Sequence, residues 1–114
     1  MNPLELARTV VNALEETKGE EIVLMDLQKV ANFTDYFVIC NGTSDRMLDA
    51  LANSVADKVR ETHKIKGRSE GQASAGWMVV DFGSVTVHLF APEMRDFYKL
   101  EELWKEGKIL LRLQ

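Results

Sequence analysis

The sequence has little of what would identify a chemistry at once, beginning with cysteine and histidine. Its 114 residues include one cysteine, two histidines and two prolines. A single cysteine excludes an internal disulfide, and one cysteine with two histidines offers no spacing typical of a metal site. Cys40 lies in the apolar run YFVIC, which favours a buried, unreactive thiol over a nucleophile. We therefore expect no metal and no cofactor, and this cysteine usage agrees with a reducing compartment.

Long apolar runs and targeting segments are also missing. No stretch approaches the ~18 consecutive apolar residues of a membrane span. The N-terminal segment MNPLELARTVVNALEETK has no basic region followed by an apolar block, and it carries acidic residues. Both features are untypical of secretory signals and mitochondrial transit peptides. We expect a cytoplasmic protein that has no membrane partner.

An excess of positive charge is absent too. The formal net charge is −4, whereas proteins whose main partner is naked nucleic acid are usually basic. One small basic stretch, interrupted by Glu61, comprises Lys58, Arg60, Lys64, Lys66 and Arg68. It has two interpretations: cations that favour a helix C-terminus and stay solvated, or a minor contact with phosphates beside a larger partner site.

What is present is the composition of an ordinary globular domain, with 46% hydrophobic and 28% charged residues, and we expect residues 1–114 to form one domain. Asn2 is placed to cap a helix that begins at Pro3 and ends at Lys18-Gly19. The further elements predicted in chain order are a strand over 22–27, a central strand over 36–40, a helix capped by Thr43 or Ser44 and running to about 63, an edge strand near 65–69, a hairpin over 77–90, a short helix around 93–104 and an apolar tail of ambiguous structure. This pattern predicts an α/β fold with a mixed β-sheet and flanking helices.

The hairpin WMVVDFGSVTVHLF is the most informative stretch of the chain. If Gly83-Ser84 forms its turn, one face is wholly apolar and must be buried. The other face pairs Asp81 with Thr86, Val79 with His88 and Trp77 with Phe90. This mixed face has two interpretations: an exposed aromatic cluster that docks another protein, or an aromatic pair that a helix covers.

The polar motifs have structural and catalytic interpretations. The segment from Gly42 to Asp45 resembles an anion-binding helix start, but it lacks the glycines and lysine of a P-loop, and Asp45 repels phosphate. A nucleotidyltransferase would need a second acid close to Asp81, and none is present. Asp81 and His88 share a hairpin face, where a structural hydrogen bond is favoured over a catalytic base. A nucleotide-binding or nucleotidyltransferase-type enzyme stays the alternative function.

The segment from Glu93 to Trp104 combines candidate core and candidate surface residues. Phe97, Leu100 and Trp104 recur at helical spacing and are candidates for the core. Arg95, Tyr98 and Glu102 then face other directions. Arg, Tyr and Trp are the residue types most enriched at binding hot spots, so the segment is a second candidate for a protein contact.

Four ordered motifs resemble the ribosomal silencing factor family, also called RsfS or Iojap. They are DYFVICNGTSDR (35–46), Glu70-Gly71 with a later Gly76-Trp77, VVDFGSVTVHLF (79–90) and RDFYKLEELW (95–104). Together they extend over nearly the whole chain, and the tail after Trp104 is least informative. The turn departs from the family in one place, with Ser84 where an acidic residue is frequent.

The resemblance implies a fold related to nucleotidyltransferases but without their catalytic acids or activity. It implies a translational repressor that binds the large (50S-type) ribosomal subunit at ribosomal protein fourteen and blocks association with the small subunit. It also implies a homodimer off the ribosome, and the basic stretch becomes a candidate for a minor ribosomal RNA contact. The matching partner-binding positions are Trp77, His88, Phe90, Arg95, Tyr98, Leu100 and Glu101.

Overall fold

The structure, a computed structural model, describes residues 2–114 of the chain. The helices are α1 (Pro3–Glu16), α2 (Asp45–His63), α3 (Pro92–Tyr98) and α4 (Leu100–Leu103), with a single 3-10 turn at Ala73–Ala75. The strands are β1 (Glu20–Asp26), β2 (Tyr36–Asn41), β3 (Arg68–Gln72), β4 (Trp77–Asp81), β5 (Val85–Phe90) and β6 (Lys108–Leu113). None of the helices in this described part of the chain is long and apolar enough to cross a membrane.

The six strands form one sheet in the order β3-β4-β5-β2-β1-β6. β2 and β5 run parallel, and every other neighbouring pair is antiparallel. The sheet is therefore mixed, as predicted, and the α/β fold class is confirmed. The connection between the two parallel strands contains α2, which matches the need of a parallel pair for a long crossover. Kinship with nucleotidyltransferases stays a prediction.

Both long helices begin at the residues that the sequence indicated. Oδ1 of Asn2 accepts a hydrogen bond from the Leu4 N–H at 2.8 Å, and Pro3 occupies the first position of α1. Of the two candidates for the second cap, Ser44 is the one used: its Oγ accepts from the Met47 N–H at 3.0 Å. These side chains satisfy backbone donors that have no partner inside the helix.

The sheet has a buried core on each of its faces. α1 and α2 cover one face, onto which β2 directs Val38 and Cys40. A smaller second core lies on the opposite face, onto which β2 directs Phe37 and Ile39. All six residues of β2 are buried, so the prediction of a central strand covered on both sides is confirmed. The second core also contains Leu100 of α4, and parts of α3 and α4 close it.

Three predictions about the later elements need correction or completion. The edge strand begins at Arg68 instead of near 65. The predicted helix around 93–104 is two short helices, because Lys99 between them adopts a left-handed conformation with φ of 49°. The ambiguous tail is a strand, β6, which pairs antiparallel with β1 at the outer edge of the sheet.

Candidate docking site

The hairpin that the sequence predicted is formed in the predicted register. Trp77 lies opposite Phe90, Val79 opposite His88 and Asp81 opposite Thr86. Gly83 occupies the turn with φ of 87°, a backbone conformation that suits glycine. The apolar face of β4 and β5 is buried, as predicted, and α1 and α2 pack on it.

The second face of the hairpin is less exposed than an open aromatic cluster would be. Phe90 is 0% exposed and His88 is 7% exposed, so the interpretation of this face as a fully exposed aromatic cluster is wrong. Of the two interpretations, the one with helical cover applies to Phe90. The physical reason is the second core, in which Phe90 packs with Leu100 and with the strand residues beside it. Trp77 is half-buried at the rim of this core.

A continuous band of aromatic rings nonetheless reaches the surface on this side of the sheet. Trp77 stacks on Phe90 with ring centroids 5.1 Å apart, and Tyr98 lies 4.5 Å from Trp77. Tyr98 is 41% exposed and its neighbour Phe97 is 75% exposed. Farther along, His88 contacts Phe37, which adjoins Trp104 and then Phe33. We call these eight residues the aromatic band: Phe33, Phe37, Trp77, His88, Phe90, Phe97, Tyr98 and Trp104.

Two members of the aromatic band were missed or misplaced by the sequence analysis. Phe97 was predicted as core, but the helical spacing that supported this ends at Lys99, where the backbone turns. Phe33, 57% exposed, lies in the connection between β1 and β2 and belongs to no periodic pattern. A large apolar residue among polar connection residues was the one signal that pointed to it. Exposed Leu103 adds a further apolar side chain.

A buried arginine holds the α3–α4 corner against the sheet. The guanidinium of Arg95 forms a two-pronged pair with Glu101: Nε donates to Oε1 at 3.1 Å and Nη2 to Oε2 at 2.9 Å. Nη1 donates to Oδ1 of Asn41 at 3.0 Å and to the Glu21 carbonyl. Arg95 was predicted on the surface, and this is wrong, because these acceptors compensate for burying its charge.

The arrangement around Arg95 makes the corner a single rigid piece. The pair between Arg95 and Glu101 spans the break at Lys99, so it joins α3 to α4 directly. The bonds to Asn41 and Glu21 tie both helices to the ends of β2 and β1. Tyr98 and Phe97 are therefore presented from a fixed base, which reduces the entropy lost when a partner binds them.

Gly76 allows the corner to approach Trp77 closely. A Cβ atom at this position would lie 2.6 Å from Cγ of Met94 in α3. Its φ of 78° is also a conformation that residues with side chains rarely adopt. The Gly76 carbonyl accepts a hydrogen bond from the Ala91 N–H at 2.9 Å, just before α3 begins. The glycine thus sets where Trp77 and α3 meet.

His88 bonds to the neighbouring tryptophan and not to Asp81. The indole Nε1 of Trp77 donates to Nδ1 of His88 at 3.2 Å. Oδ1 of Asp81 instead accepts from the Gly83 N–H at 2.8 Å in the turn, so the predicted hydrogen bond between Asp81 and His88 is wrong. Burial lowers the pKa of His88 to about 4, and the Asp81 carboxylate opposes this only in part. The imidazole is neutral near pH 7.

The surroundings of Cys40 and of the start of α2 give these residues roles in the fold. Cys40 is fully buried in the first core, and burial raises the pKa of its thiol to about 12, which keeps it protonated and unreactive. At the start of α2, Ser44 is used as the cap and Asp45 is exposed. Among residues 2–114, no three His, Cys, Asp or Glu side chains are grouped so that they could hold a metal ion.

A polar groove of about 540 Å³ lies at the carboxyl end of β2, where α/β folds often bind ligands. It is lined by Glu21, Asn41, Arg95, Asp96, Lys99, Glu101, Glu102 and Arg112. Four of these side chains are carboxylates, and Glu101 already neutralises Arg95. Lys99 and Arg112 also line the groove, but its four carboxylates outnumber its three cations, and this charge balance disfavours a polyphosphate. The aromatic band, by contrast, has the composition of a protein-docking surface.

Comparison with known proteins agrees with the sequence motifs. The family model described as ribosomal silencing factor during starvation matches residues 1–112. A ribosomal silencing factor RsfS from Chromobacterium violaceum is 38% identical over 100 residues, which cover 88% of this chain and 82% of that protein. A crystal structure of a protein from the same organism superposes with a TM-score of 0.87 at 37% identity, covering 92% of this chain and 88% of that one.

A longer mouse protein also matches. It is called mitochondrial assembly of ribosomal large subunit protein 1, and it is 37% identical over 101 residues, which cover 83% of this chain and 43% of the mouse protein.

Proposed function

The chain belongs to the ribosomal silencing factor family, and from this premise we propose that it represses translation by binding the large ribosomal subunit. The proposed contact is ribosomal protein fourteen, at the face where the small subunit docks. A small rigid domain bound there overlaps the volume that the small subunit would occupy. Steric exclusion of this kind needs no catalytic group, and we propose that the protein is not an enzyme.

The exposed part of the aromatic band is the observation that supports this proposal most directly. Phe97 and Tyr98 on the rigid α3–α4 corner form one apolar surface with the half-buried Trp77 at the start of β4. Aromatic residues in rigid surroundings are typical of the few side chains that dominate the free energy of binding. The mouse relative is named for the assembly of a large ribosomal subunit, which supports the choice of the large subunit as partner.

The predicted partner-binding residues divide into two proposed roles. Trp77, Tyr98 and Glu101 are partly exposed, and we propose that they contact the partner. His88, Phe90, Arg95 and Leu100 are buried, and we propose that they support those contacts from below. Phe97 joins the first group because it is the most exposed ring of the band.

The charge of the chain favours a basic partner protein. With a net charge of −4, it attracts a basic ribosomal protein over distance, which speeds the encounter. Lys66, just before the edge strand β3, and Arg68, the first residue of that strand, are exposed, and we propose that the basic stretch makes at most a minor contact with ribosomal RNA. We also propose that the protein is cytoplasmic.

We propose that the free protein is a homodimer. The outer strand β6 exposes Ile109 and Leu110 along an unpaired sheet edge, which is a surface that tends to associate. Analytical ultracentrifugation of the pure protein measures the oligomeric state directly. A monomer at all concentrations would contradict this part of the proposal.

Co-sedimentation tests the main proposal. The protein is mixed separately with isolated large subunits, isolated small subunits and intact paired ribosomes, and each pellet is measured. We expect the protein in the pellet with large subunits and not with the other two. Equal amounts with paired ribosomes and large subunits would contradict steric exclusion, and no binding to large subunits would contradict the proposed partner.

A further inference from the structure

The indole N–H of Trp77 is used inside the protein, although the ring lies in the proposed docking surface. It donates to Nδ1 of His88 at 3.2 Å, and the two ring centroids are 5.9 Å apart. His88 itself is buried. A tryptophan at an interface often uses this N–H as its one polar contact with a partner. Here that group is already occupied.

The hydrogen bond also determines which nitrogen of His88 carries the proton. An indole N–H can only donate, so Nδ1 of the neutral imidazole must accept and the proton lies on Nε2. Nε2 is buried. Among the buried side-chain nitrogen and oxygen atoms of residues 2–114, it alone has no hydrogen-bond partner. Leaving a buried donor unpaired is unfavourable. His88 therefore leaves Nε2 without a hydrogen bond, while Nδ1 accepts the hydrogen bond from Trp77.

The stacking contacts alone do not decide the orientation of Trp77. Its ring stacks on Phe90 with an interplanar angle of 25°, and Tyr98 lies beside it. The terminal side-chain torsion of tryptophan has two broad preferred positions, which direct the nitrogen edge of the ring to opposite sides. The hydrogen bond to His88 favours the position in which the nitrogen edge is directed inward.

We infer that His88 is a positioning residue, which holds Trp77 so that a partner packs on the carbon atoms of the indole. This inference rests on the proposed function and adds the chemistry of the contact to it. Because the N–H is directed inward, the group of the ribosomal protein that meets Trp77 is apolar and not a hydrogen-bond acceptor. Preorganisation of the ring removes an ordering cost from binding.

Two substitutions separate positioning from packing. His88→Asn keeps an acceptor, because Oδ1 of asparagine is attached at the same place as Nδ1 of histidine. His88→Leu fills a similar volume but has no acceptor. We expect His88→Leu to bind isolated large subunits roughly three- to tenfold more weakly than His88→Asn, the effect of one unrestrained side chain. Circular dichroism and thermal unfolding check that both variants are folded before their binding is compared.

A double substitution tests whether His88 acts through Trp77. In a Trp77→Phe background there is no N–H to hold, so His88→Leu and His88→Asn should bind large subunits equally. If His88→Leu remains weaker by the same factor in that background, His88 contacts the partner by another route and the inference is wrong.

Exchange of the indole proton provides a measurement that does not depend on ribosomes. Spectra of Trp77→Phe and Trp104→Phe assign the two indole resonances. We expect the Trp77 indole proton to exchange with solvent about tenfold or more slowly than that of Trp104, as in a protected hydrogen bond. His88→Asn should keep the protection and His88→Leu should lose it. Fast exchange in the native protein would overturn the inference.

The two measurements distinguish this inference from the proposed function. If the native protein fails to bind large subunits, the proposed function is wrong, and so is the binding role given to His88, even where the indole proton is protected. If the native protein binds and His88→Leu binds as tightly as His88→Asn, only the positioning role is wrong.

Discussion

At the residue scale, two buried groups, one charged and one neutral, lie beneath the proposed docking surface. Four acceptor atoms compensate for burying the charge of Arg95, whereas burial keeps His88 neutral. Both are among the residues predicted to bind a partner, and both lie beneath the surface, where we propose that they act as supports. The residues that a partner could touch depend on them for position.

The lowered pKa of His88 makes stability depend on pH. Burial lowers it from 6.5 to about 4, so folding favours the neutral imidazole. The stability that comes from keeping His88 neutral is fully present above about pH 6.5. It is lost as the pH falls from 6.5 towards 4. Between pH 7 and pH 5 we expect a loss of about 2 kcal/mol in the free energy of unfolding from this group.

Urea unfolding at the two pH values measures this loss. Carboxylates also titrate in acid, so the comparison is with His88→Asn, which lacks the titrating imidazole. The native protein should lose more stability than the variant between pH 7 and pH 5. Equal losses would mean that His88 is not buried as described.

At the element scale, short segments with unusual backbone conformations position the site. α3 and α4 span seven and four residues, too few to be stable alone, and the contacts with the sheet hold them in place. Glycines with positive φ occupy two of the tight points, Gly76 before β4 and Gly83 in the hairpin turn. Their surroundings differ, which allows a controlled comparison.

Gly76→Ala should be more destabilising than Gly83→Ala. Both positions have a similar positive φ, but a Cβ at Gly76 would meet Met94 at 2.6 Å, whereas nothing lies within 4 Å at Gly83. The strain common to both is about 1 kcal/mol. We expect Gly76→Ala to cost about 1–3 kcal/mol more, as overpacking does. Thermal unfolding measures both, and equal losses would show that Met94 moves aside freely.

The start of α2 should stabilise the helix and bind no nucleotide. Ser44→Ala removes the bond to the Met47 N–H and should cost about 1 kcal/mol. Binding of the folded protein to large subunits should be unchanged, since α2 lies on the opposite face of the sheet from the aromatic band. Calorimetry with ATP, GTP and CTP in the presence of magnesium tests whether the protein binds a nucleotide. Micromolar binding that is abolished by changes at Thr43 to Asp45 would revive the enzyme alternative.

At the scale of the whole molecule, the sheet separates two faces with different roles. α1 and α2 cover one face with the larger core, which stabilises the fold. The other face has a smaller core that is only partly covered, and its aromatic rim remains open to solvent. Half-covered aromatic rings of this kind can contribute both to folding and to binding.

Trp77→Ala should therefore affect binding and stability together. The loss of an aromatic hot spot weakens binding by roughly 2 kcal/mol or more. Some stability is also lost, because Trp77 packs against the second core. Titration of the folded variant with isolated large subunits gives the binding effect, and Arg8→Ala, exposed on α1, is the matched control. Normal affinity in the folded fraction would show that Trp77 serves the core alone.

Local patterns in the sequence determined much of this protein. The alternation of side chains from Trp77 to Phe90 with Gly83 in the turn predicted the hairpin register, because both signals lie within a few residues of each other. The caps at Asn2 and Ser44 and the doubly buried β2 were predictable for the same reason. The motifs also identified the family.

Only the tertiary structure decided how the candidate site is arranged. Whether Phe90 is exposed depends on α3 and α4, which return over the sheet, and helical spacing did not predict their break at Lys99. Arg95 finds acceptors at Glu21 and Asn41, which lie more than 50 residues away along the chain. Burial and hydrogen bonding between such distant segments depend on packing, and packing is not encoded in any local pattern.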